Sequence, residues 1–339
     1  MCRSYSGARL KVSVIIPVRN GGAPLRRCLG RVQSAQPRAD EIVVVDDGST
    51  DDSRRVAEQF GARVIAQPHP AGPAAARNAG ARVTHGDILF FVDADVGIRP
   101  DAVRLVRETF QQSPEVAAVF GSYDDQPAEG NFLSQYKNLL HHYVHQTGKE
   151  EAATFWAGCG AVRREAFEKV GGFDAAKYPH ASIEDIELGY RLRAAGYRIR
   201  LLRTLQGKHF KRWTFGSLVR ADFCGRALPW SELALRNRPL PDDLNLRTGS
   251  RWSVALIWLL PLALAATLFS PWAWAAVSGC ALALLLLNAD VYLFFAEKRG
   301  VLFALGAIPW HWAYYFYSGA AFARKWLEFT CARFHPARP

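Results

Sequence analysis

Charge is missing from two long stretches near the end of this 339-residue chain. Residues 253–289 contain no charged side chain, and residues 300–323 contain none apart from His311. A membrane helix needs roughly 20 apolar residues, because it rises about 1.5 Å per residue across a bilayer core about 30 Å thick. The first stretch therefore predicts a transmembrane hairpin, with Ser270 and Pro271 in the turn. A pair of buried helices in a soluble domain is the alternative.

The second uncharged stretch has basic residues on both sides, at Arg299 and at Arg324-Lys325. A full crossing would put one basic end on the outer side, against the positive-inside rule. A re-entrant or interfacial helix avoids that conflict and suits the Trp and Tyr content of the stretch. Both arrangements stay open. We therefore predict a membrane region over residues 252–325 and a polar tail over residues 326–339.

Paired cysteines and a secretion signal are also absent. The six cysteines form no C-x-x-C pair and no zinc-type spacing, which is typical of free thiols in a reducing compartment. The apolar run at residues 12–17 is too short for the core of a signal peptide. We expect the first half and more of the chain to be cytoplasmic, at a bacterial-type inner membrane, with a multi-pass anchor.

The net charge of +11 would suit nucleic acid, but aromatics that stack on bases do not alternate with Lys and Arg in the first half of the chain. The basic residues instead cluster beside the apolar stretches, as expected at an anionic membrane surface. They are Lys208, Lys211, Arg212, Arg220, Arg226, Arg236, Arg238, Arg247 and Arg251. We therefore predict that the protein associates with a membrane and does not bind nucleic acid. Residues 213–251 are predicted to form an amphipathic interfacial segment and a polar linker.

Short apolar runs alternate with amphipathic stretches over residues 1–212, the predicted catalytic domain. Strands are predicted at 12–17, 41–45, 62–66, 88–92 and 116–120, and helices at 24–34, 51–60, 74–83, 101–110 and 182–195. This repetition predicts an α/β fold, with a mostly parallel sheet and helices on both faces. Residues 131–149 are rich in Tyr, His and Gln and show no regular pattern.

Two acids, Asp93 and Asp95, directly follow the predicted strand at 88–92. Open α/β sheets bind ligands at the carboxyl ends of their strands. A divalent cation that carries a diphosphate would need two such carboxylates, because hard cations prefer oxygen ligands. A solvated acidic turn is the alternative, since acidic pairs are common in loops.

Six short segments, taken in order, resemble the inverting family-2 glycosyltransferases, which have the GT-A nucleotide-diphospho-sugar transferase fold. The segments are residues 14–20 (VIIPVRN), 44–51 (VVDDGSTD), 72–80 (GPAAARNAG), 91–95 (FVDAD), 171–173 (GGF) and 184–185 (ED). The resemblance covers most of residues 12–213. It implies a UDP-, GDP- or dTDP-sugar donor and a Mn²⁺ or Mg²⁺ ion. It also implies metal binding by Asp95, and ribose or metal binding by Asp93.

The resemblance further implies a set of donor-binding residues. Asp47, with Asp46 beside it, would contact the base, and Arg77 would contact the base or the diphosphate. Pro17 ends the first strand beneath the nucleotide. The full predicted set of substrate-binding residues is Pro17, Asp46, Asp47, Arg77, Asp93, Glu184, Arg212 and Trp213.

Asp185 is the predicted general base. The segment Ser182 to Asp185 starts a helix whose apolar residues point inward, which leaves the acids at its first turn. Inversion by single displacement needs one carboxylate to take the proton of the acceptor. The alternative is that both acids only stabilise the helix dipole.

Residues 209–213 (HFKRW) depart from the Q-x-x-R-W pattern of processive polysaccharide synthases. Some members of the family use a histidine near this place as a third metal ligand, so the resemblance suggests His209 for that role. Imidazole is an acceptable ligand for manganese. An interfacial aromatic patch is the alternative for His209, and Trp213 could stack on sugar or anchor at the headgroups.

These features predict a membrane-anchored enzyme that moves a sugar, with inversion, to a lipid-linked or membrane-embedded acceptor. A processive polysaccharide synthase is one rival prediction. A nucleotide-sugar-binding membrane scaffold without activity is the other. The complete set of Asp93, Asp95 and Asp185 argues against the scaffold.

Overall fold

The computed structural model describes residues 9–237 and 242–334, with side chains as far as residue 331. Contacts divide the chain into two compact units. The first runs as far as Gly130 and resumes from Gly148 to Arg212, and the second comprises Asn131–Thr147 and the chain from Trp213. The segment 131–147, which we had placed within the catalytic domain, therefore packs with the C-terminal helices.

The first unit is built on a sheet that has eight strands in the described part of the chain. In chain order the strands are β1 (Val12–Val18), β2 (Glu41–Asp46), β3 (Arg63–Ala66), β4 (Ile88–Val92), β5 (Val96–Ile98), β6 (Val116–Tyr123), β7 (Cys159–Arg163) and β8 (Arg198–His209). Across the sheet their order is β3-β2-β1-β4-β7-β6-β8-β5.

The sheet is mixed, which corrects the prediction of a mostly parallel one. Strands β1 to β4 are parallel to one another, but β7 is antiparallel to both β4 and β6, and β5 is antiparallel to β8. The sequence pattern could not separate these cases, because a strand buried on both faces is a continuous apolar run whichever way its neighbour points. Phe90 and Phe91 in β4, which are both fully buried, illustrate such a run.

Five of the six described helices of the first unit match predicted helices to within two residues at each end, and the short helix at 164–169 had not been predicted. Numbered along the whole chain, they are α1 (Gly22–Gln33), α2 (Ser53–Gln59), α3 (Gly72–Val83), α4 (Ala102–Gln112), α6 (Arg164–Lys169) and α7 (Glu184–Ala194). Strands β5, β7 and β8 had not been predicted. β5 has only three residues, and β8 carries basic side chains, so neither shows an apolar run.

The second unit is helical in its described part. Its helices are α5 (Phe132–Gln146), α8 (Phe215–Asp222), a π-helical turn (Phe223–Ala227), α9 (Leu228–Arg236), α10 (Thr248–Ala266), α11 (Ala273–Leu287), α12 (Ala289–Arg299) and α13 (Val301–Phe334). Helix α5 lies where no regular pattern had been expected. Its apolar residues Tyr136, Leu139 and Leu140 follow helical spacing and pack against Phe295 of α12.

The membrane region differs from the predicted hairpin. Among the described residues, α10 alone is long and apolar enough to cross a bilayer. Helices α11 and α12 meet the same criteria only as a pair, which is bent by 61°. Helix α11 has 15 residues, short of the roughly 20 that a crossing needs. At most one or two candidate spans result, so the predicted multi-pass anchor is not supported.

The predicted polar tail begins as helix. Helix α13 continues from Val301 to Phe334 and so includes the start of that tail. Residues 335–339 of the tail, and residues 238–241 of the predicted linker, lie outside the described residues.

Candidate active site

The Asp-Ala-Asp segment forms the turn between β4 and β5. Asp93 directly follows the buried strand, and its backbone N–H donates to the carbonyl of Gly158 at 3.1 Å. The N–H of Val96 donates back to the carbonyl of Asp93 at 2.9 Å and closes the turn. Both acids are about one-third exposed at their side chains. The carboxylates are therefore fixed at the end of a buried strand and open to a ligand.

His209 lies beside Asp95 because β5 pairs with the end of β8. The register places Val96 opposite His209, and the His209 Nε2 atom is 3.7 Å from Asp95 Oδ2. The imidazole is buried and stacks on the ring of Tyr123, with centroids 4.1 Å apart. Burial opposes ionisation of Asp95, but His209 and the charge of Lys211 outweigh it and hold the pKa of Asp95 below its ordinary value.

Arg77 of α3 joins the two acidic segments of the site. Its Nη2 donates to Asp93 Oδ1 at 2.7 Å, and its Nη1 donates to Glu184 Oε1 at 2.8 Å. The guanidinium is buried and lies over the ring of Phe173, 5.5 Å from the centroid. Its two ion pairs and its burial hold Arg77 within the site, and contact of Arg77 with the base or diphosphate of a donor stays a prediction.

Asp185 is the half-buried acid at the first turn of α7. Its Oδ2 accepts from the N–H of Ala157 at 3.0 Å, and its Oδ1 accepts from the N–H of Ile186 at 2.8 Å. Burial and the negative charge of Glu184 raise the pKa of Asp185 to about 6, against the opposing charge of Arg77. Asp185 is thus ionised at neutral pH and yet able to accept a proton, as a general base must be.

The loop after β2 is tied to the start of α3. Asp47 accepts from the N–H groups of Ala71, at 2.7 Å, and Gly72, at 2.9 Å. Gly72 has φ +86°, and a Cβ there would lie 2.3 Å from the carbonyl oxygen of Pro179, so a larger residue does not fit. Asp46 accepts from the N–H of Ser49 at 3.0 Å. Contact of these acids with a nucleotide base stays a prediction, as does the position of Pro17 beneath it.

The Gly-Gly-Phe turn is clamped by Asn78. The Asn78 amide donates to the carbonyl of Phe173 at 2.8 Å and accepts its N–H at 2.9 Å. Gly172, with φ +69°, passes so close that a Cβ would lie 2.7 Å from Asn78 Oδ1. The two hydrogen bonds of Asn78 tie α3 to the turn from Gly171 to Phe173. They hold Phe173 beneath the Arg77 guanidinium.

The two predicted residues at the end of this region stay predictions. Arg212 is two-thirds exposed, and its Nη1 lies 3.4 Å from Glu129 Oε2. Trp213 falls in the second unit, where it is buried and its backbone N–H donates to Ser134 Oγ at 2.7 Å. Sequence reasoning missed Tyr123, although an aromatic residue at the end of a strand was a signal that could have found it.

The donor types present suit a hard divalent cation. Asp95 offers carboxylate oxygens and His209 offers an imidazole nitrogen, both acceptable to Mn²⁺. No group of three such ligands is arranged around one point in the described residues. Asp93 Oδ1 instead accepts from Arg77 Nη2 at 2.7 Å. The residues present therefore fit such a cation, which Asp95 and His209 would hold.

Sequence comparisons identify a family model and several proteins that this chain resembles. Residues 13–171 match the model of Glycosyl transferase family 2. The chain is 32% identical over 200 residues to the pre-mycofactocin glycosyltransferase of Mycobacterium tuberculosis, over 56% of this chain and 40% of that protein. It is 28% identical over 222 residues to the glycosyltransferase AglE of Haloferax volcanii, over 62% and 70%. The chain spans less than half the length of the first curated relatives it matches.

Comparison of structures supports the same fold. The mannosyltransferase PcManGT from Pyrobaculum calidifontis, solved in complex with GDP-Man and Mn²⁺, superposes with a TM-score of 0.61. The superposition covers 90% of this chain and 88% of that one, at 21% sequence identity. The architecture is thus a GT-A-like mixed sheet with helices. The similarity to glycosyl transferase family 2 spans residues 13–171, a little under half of the chain.

Proposed function

We propose that this chain transfers a sugar, with inversion, from a nucleotide-diphosphate-sugar donor to an acceptor, with help from a divalent cation. The observation that carries the proposal is one chain of contacts. Asp93 of the Asp-Ala-Asp turn pairs with Arg77, which pairs with Glu184, the neighbour of Asp185. A candidate metal site and a carboxylate with a pKa near 6 are thereby held in one network.

Asp95 and His209 would hold the cation, with Asp93 as a further ligand once released from Arg77. The cation, when bound, offsets the negative charge that develops on the departing nucleoside diphosphate. Arg77, which is buried and pairs with Asp93 at 2.7 Å, would bind the diphosphate when Asp93 contacts the cation. Burial of Arg77 and His209 strengthens these electrostatic contacts, because the local dielectric constant is low.

Asp185 would move the proton. An acceptor hydroxyl gives its proton to the Asp185 carboxylate while its oxygen attacks the anomeric carbon. The bond from that carbon to the diphosphate oxygen breaks, and its electron pair stays on the diphosphate. One displacement at the anomeric carbon inverts its configuration, and no covalent enzyme intermediate forms.

The acceptor would be lipid-linked or membrane-embedded. In the second unit, large apolar side chains at the end of α10 and in the turn after it are exposed to a degree unusual for a soluble protein. Leu268, Phe269 and Trp272 are each more than 80% exposed. A bilayer would cover such side chains, and α10 is long enough to enter one. One or two candidate spans favour a single transfer over processive synthesis, which needs a channel.

Membrane association can be measured by flotation of the purified full chain with vesicles of phosphatidylglycerol and phosphatidylethanolamine. We expect the chain to float, and to stay bound in high salt, because apolar burial is not screened. The double variant Leu268→Glu with Phe269→Glu should bind more weakly. A double variant at exposed polar sites, Arg54→Glu with Arg55→Glu, is the control. If high salt releases the unaltered chain, surface electrostatics alone account for its binding to the vesicles. That outcome would contradict apolar insertion into the bilayer.

The donor can be identified by thermal unfolding with GDP-mannose, UDP-glucose and dTDP-glucose, each with and without Mn²⁺. We expect one nucleotide class to raise the melting temperature, and to do so only when Mn²⁺ is present. A hundredfold excess over Kd stabilises the folded state by about 2.7 kcal/mol. Release of the nucleoside diphosphate should accompany that shift. Binding without release would instead support the inactive scaffold.

A further inference from the structure

We infer that Glu184 is a positioning residue for the general base: its buried carboxylate, held by Arg77, keeps Asp185 basic enough to take the proton of the acceptor. This inference rests on the proposed sugar transfer. It assigns Glu184 a part in the proton step, where the sequence had suggested contact with the substrate.

Glu184 is built into the protein interior. The residue is 4% exposed, and both of its carboxylate oxygens have donors. Oε1 accepts from Arg77 Nη1 at 2.8 Å, and Oε2 accepts from the backbone N–H of Ser182 at 2.9 Å. A carboxylate so enclosed has little surface to offer a substrate. Its charge, however, acts on its neighbours through a poorly screening interior.

Two charged groups act on Asp185 directly. Glu184, adjacent on α7, disfavours a second negative charge, and Arg77 of α3 favours it. Arg77 divides its pairing between Glu184 and Asp93. These two ion pairs neutralise part of the Arg77 charge, so its attraction for the Asp185 carboxylate is weaker. If the Glu184 charge were missing, Asp185 would lose a repulsion and meet a stronger attraction, and both changes would weaken it as a base.

A purely structural role predicts a different outcome. An acid in the first turn of a helix stabilises the helix dipole, and a buried ion pair fixes the packing of α3 against α7. Loss of either contribution would lower the melting temperature and leave the ionisation of Asp185 unchanged. The position of the acid limb of the pH profile therefore separates the two roles.

The test is Glu184→Gln in the full chain, with the donor and Mn²⁺ that the unaltered chain uses and with a hydroxyl acceptor. The nearly isosteric amide can still accept from Arg77. In the unaltered chain we expect kcat/KM to fall as the pH drops through about 6, where Asp185 takes up a proton. In Glu184→Gln we expect this limb to move down by about one pH unit, and the plateau at higher pH to fall with the weaker base.

Glu187→Gln is the matched control. Glu187 lies three residues further along α7, is similarly buried and pairs with Arg191 at 2.8 Å, but Arg191 is on its own helix. This variant removes an equivalent charge and ion pair, and its acid limb should stay at the pH of the unaltered chain. Equal shifts in both variants would point to a general loss of packing and overturn the inference.

A second readout does not depend on turnover. Carboxyl-¹³C aspartate labelling, with Asp185→Asn to identify the signal, follows the ionisation of Asp185 directly by NMR. The signal should titrate at lower pH in Glu184→Gln than in the unaltered chain. An unchanged titration would disprove the role of Glu184 even if sugar transfer is shown. If no donor releases its nucleoside diphosphate, the proposed function fails instead.

Discussion

Replacement of Asp185 by Asn is expected to reduce transfer to a hydroxyl acceptor by about 10²- to 10⁴-fold, the usual contribution of a positioned general base. The amide can still accept from the N–H of Ala157, as the carboxylate does at 3.0 Å, so the loop should keep its place. What it cannot do is take a proton. The loss should therefore fall on kcat, whereas the thermal shift with donor and Mn²⁺ should stay near that of the unaltered chain.

Glu187→Gln again provides the control, since it changes an acid of the same helix that lies outside the proposed proton step. The variant should retain transfer. Turnover of Asp185→Asn at the unaltered rate, with an acceptor that must lose a proton, would remove Asp185 from the mechanism. An acceptor that is already a phosphate anion would need no base, so the hydroxyl acceptor is the decisive substrate.

Replacement of Asp95 by Ala is expected to have the other large effect. It removes the carboxylate beside His209, and the remaining Asp93 is paired with Arg77. Stabilisation of a developing charge is worth on the order of 10³-fold for one preorganised group, and a cation should contribute at least as much. Release of nucleoside diphosphate should drop by that factor, and the Mn²⁺-dependent part of the thermal shift should disappear.

Asp101→Asn is a suitable control for this experiment. Asp101 lies a few residues beyond the same turn, at the start of α4, and is paired with Arg99 and Arg104 at the surface. It should leave the response to Mn²⁺ intact. If Asp95→Ala still binds donor in a Mn²⁺-dependent way, the cation is held elsewhere. The Asp-Ala-Asp segment is then a solvated acidic turn and not a metal site.

Local patterns predicted the first half of the first unit well. Strands β1, β2 and β4 are buried runs bounded by turn residues, and their parallel pairing follows from the helices between them. The second half was harder, because β7 enters the sheet between β4 and β6 in the opposite direction. Nothing in a five-residue apolar strand records the direction of its neighbour.

The C-terminal helices show the same limit. Lack of charge over residues 253–289 indicated helices that avoid water, and α10 and α11 are there. The bend between α11 and α12 was invisible to composition. It occurs at Asn288, whose amide donates to Ser253 Oγ at 3.0 Å and accepts from the Tyr315 hydroxyl at 2.8 Å. These hydrogen bonds join the break between α11 and α12 to α10 and α13, and composition does not record such contacts.

By itself the sequence indicated which residues of this protein are candidates for chemistry: Asp93, Asp95, Asp185 and His209 all lie in short recognisable patterns. Only the tertiary structure decided what each of them touches. Arg77 and Glu184 are 107 positions apart, and their side chains pair because the fold brings α3 close to the first turn of α7. The raised pKa of Asp185 follows from its burial in the fold and from the charge of Glu184, and Arg77 opposes both. Hydrophobic periodicity indicates which face of a helix or strand is buried. It does not indicate which charged side chain of another element will lie next to that face.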